Sequence, residues 1–202
     1  MPLRFYPFFF FLFSPLHISA AEFVCAVAAP SAKIGLQAPE SLSALVLFAQ
    51  FQDEGAGESA PSWAGDLFTA DMPGSFAHFY RSMSGGRLAV EGQVLPRRYR
   101  SLQGADAYLA ETPGTLGGYG RFNREILALA DGDIDLGLFD NDGPDGMPNS
   151  GDDDGYVDIV FINLHTVPRD FFISTATGIA SLGLDADFIS DDLAADGGFV
   201  RV

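Results

Sequence analysis

The chain has 202 residues, a length suited to about one domain, and 48% of them are hydrophobic, enough for a buried core. Eleven basic against 27 acidic residues give a formal charge of −16, a surface that repels nucleic acid and anionic membranes and suits a cation-rich medium. The single cysteine, Cys25, excludes an intrachain disulfide framework.

The apolar content is concentrated at the front, where six of the 19 phenylalanines lie within the first 13 residues. Arg4, the apolar run FYPFFFFLFSPLHI (5–18) and the small residues Ser19, Ala20 and Ala21 have the layout of an export signal cut ahead of Glu22. A membrane anchor is the competing reading. The stretch is short for a bilayer span, which takes about 20 residues, and Pro7 and Pro15 interrupt it, so a secreted product starting at Glu22 is expected, with no stable membrane span.

SALVLFAQF (43–51) is a dense apolar run before the polar, glycine-rich QDEGAGES, and reads as a buried strand covered on both faces. PGSFAHFYRSM (73–83) has helical spacing, with Ser75 as cap and Phe76, Phe79, Tyr80 and Met83 on one face; Gly85 and Gly86 end it. RLAVEGQVL (87–95) alternates as a strand, with Gly92 as a candidate bulge. YGRFNREILALA (119–130) predicts a second helix with Phe122, Ile126 and Leu129 inward, and YVDIVFINL (156–164) another strand. Strands separated by helices imply an α/β layer structure. The stretch DFISDDLAADGGFVRV (187–202) reads as the start of a further element.

Between the second helix and that last strand, FDNDGPDGMPNSGDDDGYVD places seven aspartates between Asp140 and Asp158, with Gly143, Gly146, Gly151 and Gly155 among them. Carboxylates so close raise one another's pKa and destabilise a fold unless a cation intervenes, and Ca²⁺ takes six to eight oxygens from such groups and from carbonyls. Glycines let the chain curl around an ion. Calcium is the expectation; a solvated acidic turn is the alternative. The spacing is not that of an EF-hand, since counting from Asp140 the fifth position is Pro144, and counting from Asp152 it is Tyr156.

Catalytic patterns are sparse. His78 (HFYRS) and His165 (HTVPR) do not begin H-E-x-x-H, two isolated histidines do not make a zinc site, and both suit structural roles. There is neither a G-x-S-x-G elbow nor a phosphate-binding glycine loop. The basic RRYR (97–100) is expected to pair with the acidic surface, and no nucleic-acid partner is expected.

The order LVLFAQF, LFTADMPGSFAHFYRSMSGGRLAVEGQV, FNREILALADGDIDLGLFDNDGPDG and DDDGYVDIVFINLH, over about residues 43–165, resembles the amino-terminal half of the catalytic domain of the immune inhibitor A family of secreted bacterial zinc metallopeptidases. The resemblance implies a zincin-like (metzincin-type) mixed sheet with packed helices, and a polypeptide substrate. It also implies that the family's compact acidic segment is split here by 144–153. Asp140, Asp142, Asp154 and Asp158, with the Tyr156 carbonyl, would then be the principal calcium ligands, and Asp145 and Asp152 further candidates. The family's zinc ligands and general-base glutamate lie on a downstream H-E-x-x-H helix, and this chain reaches GGFVRV without one. The expectation is therefore a partial catalytic domain over 22–202, inactive as it stands, whose complete form binds Zn²⁺ and hydrolyses peptide bonds. A non-catalytic, calcium-stabilised extracellular binding or adhesion module is the alternative.

Overall fold

A computed structural model describes residues 40–202. The export-signal reading and Cys25 lie outside the described residues. The core is a three-stranded parallel sheet in the order β2-β1-β3, formed by β1 (Ser41–Gln50), β2 (Ala89–Arg100) and β3 (Ile159–Leu164). Helix α1 (Phe76–Met83) connects β1 to β2, and α2 (Tyr119–Ala130) lies between β2 and β3. A separate antiparallel hairpin, β4 (Ile189–Leu193) and β5 (Phe199–Arg201), follows. This is a mixed α/β arrangement that does not close into a barrel. Among the described residues, no helix is long and apolar enough to cross a membrane.

The central strand explains the layering. From Ala44 onward every residue of β1 is buried, and its side chains alternate between two clusters. Leu45, Leu47 and Ala49, with Phe51 just beyond, meet Phe122, Ile126 and Leu127 of α2; Val46 and Phe48 meet Phe76 of α1 with Phe68 and Phe161. A strand clothed on both faces reads as a continuous apolar run, as parallel sheets require. The α2 side is the larger, with Phe51 and Phe122 in contact with each other and each with Tyr108 and Phe171, at centroid distances of 4.9–5.8 Å. Such aromatic pairs add about 0.5–1.5 kcal/mol each beyond their buried area.

Helix α1 is capped as its sequence implies, the His78 N–H donating to Ser75 Oγ at 3.0 Å. Its apolar face is only partly used. Phe76 stacks on Phe161 at 4.4 Å, whereas Phe79 and Met83 are 53% and 73% exposed, because the eight-residue helix meets the sheet only near its start. In α2 the inward residues are Phe122 and Ile126 together with Leu127 and Ala130; Leu129 faces outward.

Gly92 is not a bulge. It pairs with Ala44, and a Cβ there would lie 2.1 Å from the Ala44 carbonyl oxygen, so the residue is small to let the sheet backbone and Phe68 close over it. The irregularity falls later, where β2 passes from Val94 to Arg98 while β1 passes from Val46 to Phe48. Pro96 lies in that slack, and its carbonyl accepts from the Ala60 N–H. The strand therefore continues through RRYR to Arg100 rather than stopping at Leu95. Arg97 pairs with Asp133 at 3.0 Å, and Arg100 donates to the carbonyls of Gln52 and Glu54.

Candidate metal centre

The acidic loop sits at the N-terminal ends of β1 and β3. Its base is fixed by backbone bonds: the Asp158 N–H donates to the Phe139 carbonyl at 2.7 Å, and the Asn149 N–H to the Asp140 carbonyl at 2.6 Å. The hairpin forms a buttress, with the Val157 N–H donating to the Arg201 carbonyl and the Arg201 N–H to the Gly155 carbonyl. Asn149 completes it, donating to the Leu193 carbonyl and accepting from the Ala195 N–H.

Within this frame, Asp140, Asp142 and Asp158 each offer one carboxylate oxygen, and the three lie within 4.8 Å of one another. Asp140 is 1% exposed; its Oδ2 accepts from the Gly155 N–H at 3.1 Å, while its Oδ1 is buried without a partner. Gly155 has φ of 80°, the left-handed conformation glycine adopts freely, and that bend turns its N–H toward Asp140. Asp158 accepts from the Ser43 N–H at 2.8 Å and the Asn141 N–H at 3.4 Å, joining the loop to the start of β1. Asn141 is buried beside them, with its Oδ1 also lacking a partner.

The electrostatics are those of anions confined without compensation. Burial, then the charges of Asp153, Asp154, Asp142 and Asp158, pushes Asp140 up to about 7. Burial raises Asp158 to about 6 against the opposing backbone bonds, and burial with Asp154 and Asp153 raises Asp142. A buried acceptor with no donor costs about 1–3 kcal/mol, more when charged. A divalent cation reverses both penalties.

The seven candidate residues separate into groups. Asp140, Asp142 and Asp158 converge. Asp154 accepts from the Tyr156 N–H at 2.9 Å, and the Tyr156 hydroxyl donates to Asp187 at 2.8 Å. In the inserted stretch, Asp145 accepts from the Met147 N–H at 2.8 Å, and Asp152 accepts from the Asp145 N–H at 3.1 Å and from the Ser150 hydroxyl. The Ser150 hydroxyl bond is the main reason the exposed Asp152 carboxyl is lowered. Asp153, which spacing alone did not single out, ties the two ends of the insertion together, accepting from the Gly143 N–H at 2.8 Å and the Ser150 N–H at 2.6 Å. Beside it lies a cavity of about 20 Å³ bounded by Asp140, Asp153, Gly155 and Asp196.

The histidines lie elsewhere. His78 is half-buried on α1, and His165 is exposed just past β3. Among the described residues neither joins a group of three metal-ligating side chains. No protein-family model matches the chain, and no curated protein matches it.

Proposed function

We propose that the chain is a calcium-stabilised α/β domain of a secreted zinc-dependent endopeptidase, with Asp140, Asp142 and Asp158 as the carboxylate ligands of a structural Ca²⁺. One observation carries the calcium reading: Asp140 is buried with an unpartnered carboxylate oxygen inside a triad of converging carboxylates. Three carboxylate oxygens within 4.8 Å of one another can share one cation, and Ca²⁺, which takes six to eight oxygens in flexible geometry, is the ion that such a carboxylate-rich loop suits. Asp145, Asp152, Asp154 and Tyr156 shape the loop around it. A bound ion supplies the positive charge that lets the three carboxylates stay ionised where the fold has placed them.

The peptidase part rests on the resemblance that the order of sequence segments over about residues 43–165 bears to the immune inhibitor A family, with which a mixed α/β framework is compatible. The zinc ligands are not assigned to His78 or His165, and the activity is proposed for a product that also carries an H-E-x-x-H helix. Export is proposed on the N-terminal segment alone.

The test has two parts. Calorimetric titration of metal-depleted protein with Ca²⁺ is expected to give about one ion per chain, and the same titration of Asp142→Asn a large loss of affinity; no binding by the wild type refutes the site. Metal content and casein cleavage of the natural secreted product decide the rest. Zinc with chelator-sensitive cleavage supports the peptidase, whereas calcium without zinc or cleavage favours a binding or adhesion module.

A further inference from the structure

The β4–β5 hairpin is a sheet of its own, apart from β2-β1-β3. A two-stranded hairpin is at best marginally stable alone, so its place depends on what it docks against. Phe188, Ala194 and Val200 give it an apolar underside that enters the core. Its charges oppose that docking: the stretch 187–202 carries Asp187, Asp191, Asp192 and Asp196 against the single basic Arg201, beside a loop with seven more aspartates.

Two routes of hydrogen bonds from the loop to the hairpin start at one residue. The Asp140 side chain accepts from the Gly155 N–H at 3.1 Å, and the carbonyl of the same Gly155 accepts from the Arg201 N–H of β5 at 2.9 Å. The Asp140 carbonyl accepts from the Asn149 N–H at 2.6 Å, and the Asn149 side chain donates to the Leu193 carbonyl of β4 at 2.8 Å and accepts from the Ala195 N–H at 2.7 Å. A single residue therefore separates Asp140 from each side of the hairpin. Asp140 is also the buried carboxylate whose Oδ1 has no partner. A cation held there fixes that carboxylate in place and offsets the charge that the hairpin meets as it docks.

We propose that the calcium site is a latch for the hairpin: Ca²⁺ on Asp140, Asp142 and Asp158 holds 187–202 against the loop, through Gly155 to β5 and through Asn149 to β4. The proposal rests on the calcium reading and not on peptidase activity. Undocking releases both residues that hold Asp140, so the open form loses the ion. Calcium at about 100 times its Kd then lowers the open fraction about 100-fold. The coupling is reciprocal, and a docked hairpin tightens the ion by the same factor.

Amide hydrogen exchange on the full chain, with chelator and with calcium at about 100 times the Kd found by titration, tests the latch. In chelator the Val157, Arg201 and Val202 amides are expected to exchange at least about tenfold faster than those of β1, since the hairpin opens without the sheet. Calcium is expected to slow the three by up to about 100-fold. Asp142→Asn, which lies on neither route, is expected to abolish that slowing. Calcium binding that leaves the three amides unchanged overturns the latch alone. Protection in chelator equal to that of β1 also overturns it, since the hairpin then opens only with the whole domain, as does slowing that persists in Asp142→Asn. No binding in the titration overturns the calcium reading and the latch together.

Discussion

Replacing Asp140 by asparagine should stabilise the metal-free protein and abolish its response to calcium. In the native fold the Asp140 carboxyl titrates at about 7 against an ordinary 3.8, a gap worth about 4 kcal/mol at about 1.4 kcal/mol per pH unit. Because the folded-state value is the higher one, the carboxyl's contribution is intact below pH 4 and is lost as the pH rises through 7. The amide of Asp140→Asn carries no charge to lose, keeps an oxygen for the Gly155 N–H, and turns a donor toward Asp142 and Asp158. With chelator at pH 8 the variant should therefore exceed wild type by up to about 4 kcal/mol, roughly 8–16 °C in Tm for a domain of this size. At pH 4 the two should coincide. Calcium at about 100 times its Kd should add about 2.7 kcal/mol to wild type and almost nothing to the variant. Thermal denaturation followed by circular dichroism, with chelator and with calcium at pH 4, 6 and 8, reads all of these effects. A metal-free wild type that gains stability between pH 5 and 8, or a variant less stable than wild type in chelator at pH 8, would refute the reasoning.

Other expectations follow from the packing. Gly92→Ala forces a methyl against the Ala44 carbonyl and should cost about 1–3 kcal/mol or more in urea denaturation; a neutral effect would mean the sheet spacing is wrong at that point. Phe51→Ala empties the centre of the aromatic cluster and should cost about 3–5 kcal/mol by the same assay. Asp153→Ala frees the Gly143 and Ser150 amides and should weaken calcium binding by titration, with about 1.5–3 kcal/mol lost for each charge-assisted bond. Unchanged affinity in that variant would separate the insertion from the ion.

The parts of the fold governed by local periodicity were legible in the sequence. Residues 119–130 form a helix over the expected span, and the apolar run in β1 is covered on both faces, because burial of a long uninterrupted run admits few alternatives. The extension of β2 was not legible, since Pro96 reads as a stop and only the backbone slack opposite Leu47 accommodates it. The outward turn of Phe79 and Met83 was equally hidden: helical spacing states which side chains share a face, and the crossing point on the sheet decides which of them are buried. In the acidic loop, spacing located the carboxylates without revealing which of them the backbone amides occupy. Asp145 and Asp152 bond within the insertion, Asp153 ties its ends together, and the buried Asp140 keeps a free oxygen.

The bond from the Ser43 N–H to Asp158 spans 115 residues of chain and gives the domain a calendar. Pairing of β1 with β3 cannot begin until the last strand of the sheet exists, and at about 5–20 residues per second of synthesis that is a wait of roughly 6–23 s. Throughout it, Ala44–Gln50, buried from end to end in the finished protein, has at most one of its two neighbours. Pairings this distant in sequence form late and slowly. The vulnerable period of this protein is therefore its own synthesis, while the first strand waits for its second neighbour.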